Sequence, residues 1–237
     1  MSSEPILRVR DLVKRFGGFR ALDGVDLDLN PGEVVGLVGP NGSGKTTLIN
    51  VVSGIYRADA GSIHLGEREI GRLPPHRVAA LGLNRTFQIP KPFRSLTVRQ
   101  NLEVAWRHRR RPGPGVREAL EFVDLASLAE REAGSLNTAQ QKLLDLGRAL
   151  VAAPRVLLVD ELGAGLGPAE LELVADRLRR VAEAGTALLV VEHLMGFLGR
   201  LARRVVVLNA GAQIFAGDLA AAAADRQVVE VFLGEGH

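Results

Sequence analysis

The 237-residue sequence contains no cysteine, and aromatic residues make up only 4% of it. Without cysteine the chain has no disulfides, no thiol catalysis and no thiolate metal sites, and its five scattered histidines do not form a metal-binding pattern. Any metal ion is therefore expected to be a hard cation. Also missing are an apolar run of the ~18 residues needed to cross a bilayer and an N-terminal secretion signal. The sequence thus predicts a protein that stays in the cytoplasm.

A strong net charge is absent as well. The 30 basic and 27 acidic residues leave a formal charge of +3, and the pI of about 9.8 reflects the abundance of arginine rather than a strong electrostatic field. Basic residues concentrate at 107–111, directly after an amphipathic segment. A solvated helix end is favoured there over contact with lipid headgroups, a membrane partner or nucleic acid. We therefore expect no nucleic-acid partner.

The pattern of apolar residues predicts one α/β domain over 1–237. Hydrophobic residues make up 46% of the chain, enough for one full core. Strand and helix patterns alternate in 1–88 and 154–237, which is typical of a mainly parallel sheet with helices on its faces. Residues 89–153 instead have helical spacing and predict an inserted all-helical lobe. The expected strands are 6–16, 25–29, 33–39, 62–70, 156–160, 187–191, 204–208 and 213–215, and the main expected helices are 46–52, 97–110, 116–123, 139–150, 168–185 and 194–201.

A glycine-rich motif lies between the expected strand 33–39 and the expected helix 46–52. It reads Gly39-Pro40-Asn41-Gly42-Ser43-Gly44-Lys45-Thr46, followed by Thr47, and it matches G-x-x-x-x-G-K-[ST]. A strand before it and a helix after it favour a phosphate-binding loop over a plain glycine-rich turn. Backbone N–H groups would face the phosphates, Lys45 would reach the β and γ phosphates, and the Thr46 hydroxyl would bind Mg²⁺.

Two adjacent carboxylates, Asp160 and Glu161, end the expected strand 156–160. Neighbouring residues of a strand point in different directions, so one carboxylate can hold Mg²⁺ while the other orients water. Without other motifs, two adjacent acids would be interpreted as the exposed end of a surface strand. The presence of the phosphate loop favours a catalytic role instead. Gln88, in Arg85-Thr-Phe-Gln88, and His193, in Val190-Val-Glu-His193, are also expected at strand ends. A lone glutamine or histidine is usually structural, so their functional interpretation depends on their order relative to the other motifs.

That order resembles the nucleotide-binding subunits of ATP-binding-cassette (ABC) transporters over essentially the whole chain. The resemblance implies a P-loop NTPase fold with a RecA-like, mainly parallel core, an N-terminal antiparallel β subdomain and the inserted helical lobe. It implies ATP and Mg²⁺ as cofactors. The family's catalytic positions fall on Lys45, Gln88, Glu161 and His193, its metal ligands on Thr46, Gln88 and Asp160, and its adenine-stacking aromatic on Phe16.

Longer segments narrow the resemblance. Residues 15–23, 82–88, 96–102, 191–195 and 228–234 are similar to the ATPases of branched-chain and hydrophobic amino acid importers, a pattern that urea and short-amide importers share. This resemblance implies transmembrane permease subunits and a second ABC ATPase subunit as partners, and indirectly a periplasmic or surface solute-binding protein. It implies a peripheral location on the cytoplasmic face of the plasma (inner) membrane, with the chain between Gln88 and Leu102 facing the permease.

The segment at 136–140 departs from the family. Where the family has Leu-Ser-Gly-Gly-Gln, which clasps the γ-phosphate held by the opposite subunit, this chain has Leu136-Asn137-Thr138-Ala139-Gln140. We call 136–140 the signature segment. Asn137 and Thr138 still offer donors to phosphate, although capping a helix would explain either residue. If Ala139 requires a positive φ, its Cβ costs on the order of 1 kcal/mol, which is a factor of about five in the equilibrium by which two ATPase subunits close on ATP.

Two more departures, Leu162 for the family's Pro and Gly167 for its Asp or Asn, lie in a loop that normally touches the second subunit. The sequence therefore does not determine the identity of the second subunit. In a homodimer both ATP sites would be weakened, whereas a heterodimer could keep this chain's own site active. A soluble cassette ATPase of the iron–sulfur scaffold type is an alternative function. So is a nucleotide-binding subunit with weak or no turnover, although intact Glu161 and His193 argue against it.

Overall fold

Ten strands lie in residues 4–233, the part of the chain that this computed structural model describes. They are β1 (Leu7–Phe16), β2 (Phe19–Leu29), β3 (Val34–Val38), β4 (Ala60–Leu65), β5 (Arg68–Glu69), β6 (Leu83–Arg85), β7 (Val156–Asp160), β8 (Ala187–Val191), β9 (Arg204–Asn209) and β10 (Ala212–Asp218). A four-stranded antiparallel sheet has the order β2-β1-β4-β5, and a six-stranded sheet has the order β10-β9-β3-β8-β7-β6. All pairs of the larger sheet are parallel except β10 with β9, so the predicted mainly parallel sheet is confirmed.

Helices connect these strands and cover the larger sheet. They are α1 (Lys45–Val52), α2 (Pro75–Ala80), α3 (Val98–His108), α4 (Val116–Phe122), α5 (Thr138–Val151), α6 (Pro168–Glu183), α7 (Met195–Leu198), α8 (Leu219–Ala224) and α9 (Arg226–Leu233). Within residues 4–233, no helix has both the length and the apolar character that crossing a membrane requires.

The central strands are apolar because both faces of the larger sheet are covered. Every residue of β7 and β8 is buried, as expected for parallel strands between two layers. On one face, α3, α5 and α6 form a hydrophobic cluster with the sheet that includes Val98, Leu102, Leu157 and Leu178. On the other face, α1 and the antiparallel sheet form a second cluster. The helices between 98 and 151 thus share one core with the sheet.

Several expected elements have different bounds in the structure. The expected strand 62–70 is two strands, β4 and β5, joined by a turn at Gly66, which has φ 61°. The expected helix 194–201 is shorter, since α7 spans only four residues; one of them, Gly196, and the residue that ends the helix, Gly199, are glycine, which favours helix weakly. Helices α2 and α9 were not predicted, because six to eight residues give too little periodicity to stand out.

The topology brings four strand ends together. Strands β3, β8, β7 and β6 are successive neighbours and run in the same direction, so their carboxyl ends share one edge of the sheet. Ligands of open α/β sheets bind outside this edge. The residues that follow these strands include Gly39, Glu161, Gln88 and His193. The predicted site residues therefore come from segments that are distant in sequence and adjacent in space.

Candidate active site

The glycine-rich loop joins β3 to α1, as the motif predicted. All three of its glycines have backbone angles that other residues rarely adopt: φ is 147° at Gly39, 76° at Gly42 and 108° at Gly44, the residue that precedes α1. A Cβ on Gly39 would lie 2.1 Å from the carbonyl oxygen of Leu208, and one on Gly44 would lie 2.7 Å from that of Ala21. The loop is therefore pressed against β9 and β2, and its path requires glycine at both positions.

Lys45, the first residue of α1, folds its side chain back over this loop. It is only 5% exposed, and its Nζ donates to the carbonyl oxygens of Gly39 (2.7 Å) and Pro40 (2.8 Å) and lies 3.4 Å from Ser43 Oγ. The ammonium group is thus fixed beside the loop N–H groups and the start of a helix. This combination of positive charge and backbone donors is suited to an anion such as a phosphate group.

A pocket of about 270 Å³ lies over the loop. Its walls are Phe16, Phe19, Ala21, loop residues 41–47, Glu161 and His193. Phe16 ends β1 with 44% of its surface exposed, and its ring meets the Tyr56 ring edge-on with centroids 5.2 Å apart. An exposed ring at the rim of a pocket can stack on a planar base. Phe19, which pairs with Phe16 across the β1–β2 turn, also lines the pocket and was not predicted.

Glu161 lies between two of the predicted catalytic side chains. Its Oε2 accepts a hydrogen bond from Gln88 Nε2 (2.6 Å), and its Oε1 lies 3.0 Å from His193 Nε2. The three residues follow β7, β6 and β8, which are neighbouring strands. The Glu161 side chain is 18% exposed and reaches the pocket, so both carboxylate oxygens are oriented at the surface where the loop phosphates are expected.

The backbone at Glu161 separates its side chain from that of Asp160. Glu161 has φ 47°, in the left-handed region, and its N–H donates to the carbonyl oxygen of Val191 (3.0 Å). Asp160, the last residue of β7, faces inward and is 3% exposed. The two side chains thus point in different directions: Asp160 is buried in the protein, and Glu161 reaches the pocket.

Arg85, which no sequence pattern predicted as a site residue, is the partner of Asp160. Its Nη2 lies 3.1 Å from Asp160 Oδ2, and its Nη1 donates to Asn50 Oδ1 (2.6 Å). The guanidinium carbon lies 4.6 Å from the ring centre of Phe87. Burial raises the pKa of Asp160, and the Arg85 charge opposes that rise. Burial likewise lowers the pKa of Arg85, so each charge depends on the other for compensation.

The donor set fits Mg²⁺ better than a transition metal. Residues 4–233 contain no group of three or more His, Cys, Asp or Glu side chains able to hold a metal ion. The candidates are the Asp160 carboxylate, the exposed Thr46 hydroxyl and Gln88, whose oxygen atoms are hard ligands. Mg²⁺ usually retains several waters and binds through one or two carboxylates plus substrate phosphates, so a single buried carboxylate beside a phosphate loop is sufficient.

The signature segment opens α5. Asn137 is its N-cap: the side-chain Oδ1 accepts from the Gln140 N–H (2.8 Å), and the Gln140 Oε1 accepts from the Asn137 N–H (3.1 Å). This capping box is the structural role considered above for Asn137. Ala139 is the second residue of the helix and is not among the residues of positive φ in 4–233. The condition for a Cβ penalty at Ala139 is therefore not met in this structure.

Residues 137–140 do not line the pocket over the loop. Asn137 and Thr138 are exposed at the start of α5, and Gln141 Nε2 donates to the carbonyl oxygen of Leu136 (2.8 Å). The chain's own phosphate loop and its signature segment are thus separate surfaces. This separation agrees with a segment that completes a site on another subunit.

Three further buried charges surround the site. Asp145 on α5 accepts from the Phe87 N–H (2.8 Å), one residue before Gln88, and burial raises its pKa. Glu192 accepts from the Gly163 N–H (2.7 Å), and burial raises its pKa as well. Lys142 contacts the loop after Glu161. None of the three was predicted; a charge between apolar residues was the available signal for Asp145 alone, which lies between Leu144 and Leu146.

This chain is similar in sequence to known proteins. The family described as ABC transporter matches residues 22–164. The chain is 36% identical to the high-affinity branched-chain amino acid transport ATP-binding protein BraF of Pseudomonas aeruginosa, over 98% of this chain and 99% of that protein. It is 34% identical to the probable branched-chain amino acid transport ATP-binding protein LivG of Methanocaldococcus jannaschii, over 97% and 98%.

A solved structure gives the same result. The chain is similar to the ADP conformation of MJ1267, an ATP-binding cassette of an ABC transporter, with a TM-score of 0.86 and 33% sequence identity. The superposition covers 98% of this chain and 100% of that one. Similarity therefore extends over nearly the full length of each protein compared.

Proposed function

Because this chain belongs to the ABC transporter family, as an ATP-binding subunit with ATPase activity, we propose that it powers an importer of branched-chain or other hydrophobic amino acids. The descriptions of its relatives support the substrate class, since BraF and LivG are described as branched-chain amino acid transport ATP-binding proteins. Urea and short amides remain alternative cargo. The substrate itself would be recognised by the permease and binding subunits.

One observation carries the proposed chemistry: Glu161 is held between Gln88 and His193 at the rim of the phosphate-loop pocket. A carboxylate whose oxygens are both hydrogen-bonded has a fixed direction, which is what a group that polarises an attacking water requires. We propose that Glu161 performs this role, while His193 contacts the γ-phosphate and Gln88 contacts the metal ion and the water. The adenine ring would stack on Phe16.

Phosphate binding would fall to the loop. N–H groups of 39–47 and the start of α1 would surround the phosphate oxygens, and Lys45 would neutralise the charge that develops as the γ-phosphoryl group is transferred. Mg²⁺ would be held by Asp160, Thr46 and Gln88. When bound, it supplies positive charge against the phosphate oxygens.

The signature segment would serve another subunit. Asn137, Thr138, Ala139 and Gln140 would contact the γ-phosphate held by a second ABC ATPase, so that two chains close on two ATP molecules. The Asn137 Oδ1 is used by the helix cap, which leaves its amide N–H groups to face outward as donors. Backbone N–H groups at the start of α5 attract phosphate irrespective of the side chains. The altered segment is therefore expected to bind ATP across the junction.

The permease would dock on the segment after Gln88. Three large apolar side chains in or beside this segment are exposed: Phe87 (40%), Ile89 (73%) and Phe93 (46%). Several exposed apolar side chains within seven residues favour an interaction surface. We propose that it faces the transmembrane subunits, with the chain peripheral on the cytoplasmic side of the membrane and the helical lobe 89–153 forming the docking unit.

The proposal is tested by Mg²⁺-dependent ATP hydrolysis at a series of protein concentrations. Glu161→Gln should lower turnover by about 100-fold or more while ATP affinity stays within about twofold, because the change removes a base and no phosphate contact. Glu183→Gln, an exposed change on α6, is the matched control and should leave both unchanged. An E161Q variant with wild-type turnover would refute the role of Glu161.

The same series identifies the partner. A rate per chain that rises with concentration indicates a working homodimer. ATP binding with no turnover above the E161Q level at any concentration would exclude the self-sufficient homodimer and favour a heterodimer with a second ATPase.

A further inference from the structure

Lys142 is buried beneath the loop that follows Glu161. It lies on α5, and only 4% of it is exposed. Its Nζ donates to the carbonyl oxygens of Glu161 (3.0 Å), Leu162 (3.1 Å) and Ala164. An ammonium group has three N–H donors, so the three donors match three carbonyls of one short loop. This is an unusual use of a buried charge, because the acceptors are backbone oxygens rather than a carboxylate.

A buried carboxylate holds the same loop from the other side. Glu192 is 3% exposed, and its Oε1 accepts from the Gly163 N–H at 2.7 Å. A Cβ on Gly163 would lie 2.9 Å from Leu171 Cδ2 and 3.1 Å from Glu192 Oε1, so the approach is close. The loop carbonyls are therefore bound by a cation and its N–H by an anion.

The burial of both charges is compensated in part by each other. Burial lowers the pKa of Lys142, and the charges of Glu192 and Glu161 oppose that shift. Burial raises the pKa of Glu192, and the Lys142 charge opposes it. A buried charge is costly unless it makes good hydrogen bonds, so an arrangement of this kind holds its surroundings in one geometry.

The geometry that Lys142 holds is that of Glu161. With φ at 47°, Glu161 is in the left-handed region, which is unfavourable for a residue with a Cβ. That conformation directs the Glu161 carbonyl to Lys142 and the side chain to Gln88 and His193. Loss of the ammonium group would leave the Glu161 backbone free to return to an ordinary conformation, and the carboxylate would leave its place.

We propose that Lys142 is a positioning residue that keeps Glu161 aligned for water activation by binding the carbonyls of the loop 161–164. The inference rests on the proposed role of Glu161. It also links two regions of the molecule, since Lys142 lies five residues after the Asn137 cap on the same helix.

The test compares Lys142→Met with Lys142→Arg in the full-length chain. Methionine has a similar length and no N–H donor, whereas arginine retains donors and charge. In K142M, amide exchange in 162–166 should accelerate by about tenfold or more while exchange in β3 and β8 stays unchanged. Turnover should fall by about tenfold or more with ATP affinity within about twofold, and K142R should recover most of both. If K142M does not fold, Lys142→Gln, which keeps two N–H donors, takes its place.

Three results would overturn the inference: unchanged exchange in 162–166, a K142R variant as defective as K142M, or a loss of ATP affinity in step with turnover. The last result would place Lys142 in nucleotide binding. Glu161→Gln separates the two proposals. If E161Q hydrolyses ATP at the wild-type rate, the role of Glu161 is wrong, while the exchange measurement still reports whether Lys142 holds the loop.

Discussion

Replacing Asn137 with aspartate should keep the start of α5 stable and yet weaken ATP-driven closure of two ATPase chains. Aspartate is as good an N-cap as asparagine, because its oxygen can accept from the Gln140 N–H as the amide oxygen does now. Its negative charge at a helix N-terminus adds about 0.3–1 kcal/mol. The same change removes both amide N–H donors and places a carboxylate where a γ-phosphate is expected.

The size of the loss follows from Coulomb's law. Two negative charges about 4 Å apart near a protein surface repel by about 4 kcal/mol at an effective dielectric of 20. The equilibrium constant for closure of the two chains on ATP should therefore fall by far more than tenfold. Asn137→Ala should have the opposite effect: it should lower the stability of the chain and leave ATP-driven closure largely intact. Loss of the cap costs about 1 kcal/mol, which lowers the melting temperature by about 2–4 °C for a chain of this size, whereas the backbone N–H groups of α5 still attract phosphate.

The assay places each variant in an E161Q background with ATP and Mg²⁺ and follows closure by sedimentation velocity, with thermal unfolding measured separately. Asn137→Ser is the matched control, because serine keeps both a cap and a donor and should resemble wild type in both measurements. A variant N137D that closes as well as wild type would show that Asn137 does not approach the phosphate. An unchanged melting temperature in N137A would show that the cap contributes nothing.

Two further changes test other parts of the site. Burial raises the pKa of Asp145, so the wild type loses stability as the pH rises through the window between the ordinary and the raised value. In Asp145→Asn the amide oxygen can still accept from the Phe87 N–H. The unfolding free energy of D145N should therefore rise relative to that of the wild type as the pH increases through that window, and the difference should stay constant above it. A difference that does not change with pH would contradict this. Phe16→Ala should weaken ATP binding by about five- to tenfold with the maximal rate unchanged, whereas Phe16→Trp should bind ATP as tightly as the wild type. If F16A and the wild type had equal affinities in a nucleotide titration, stacking on Phe16 would be excluded.

Sequence patterns predicted the parts of the site that are contiguous in the chain. The loop from Gly39 to Thr46 is a run of neighbours whose backbone requirements are visible in the residue types themselves. Asp160 and Glu161 are adjacent at the end of an apolar strand, and strand alternation predicted that their side chains diverge, although in the structure Glu161 lies beyond the strand and its left-handed backbone causes the divergence. The mainly parallel sheet was predictable for a related reason, since buried strands such as β7 and β8 have no polar alternation.

The unpredicted parts depend on long-range contacts. Arg85 and Asp160 are 75 residues apart, and Lys142 reaches a loop 19 to 22 residues away, so no local pattern identifies either pair. The concern about Ala139 had a different origin. A positive φ was considered because the ABC family has glycine at this position, whereas in this chain Ala139 lies within the first turn of α5. Backbone conformation at a helix start is decided by where the cap falls, and that is seen only in the structure.

The strand order also determines when this protein can fold during its synthesis. The central strand β3 ends at residue 38, but its two neighbours are β8 and β9, which lie between residues 187 and 209. A ribosome adding roughly 5–20 residues per second would therefore leave β3 without its two hydrogen-bonded partner strands for several seconds or longer. During that interval a strongly apolar segment is exposed to other chains, and we expect a nascent chain of this kind to depend on chaperones until its last quarter has emerged.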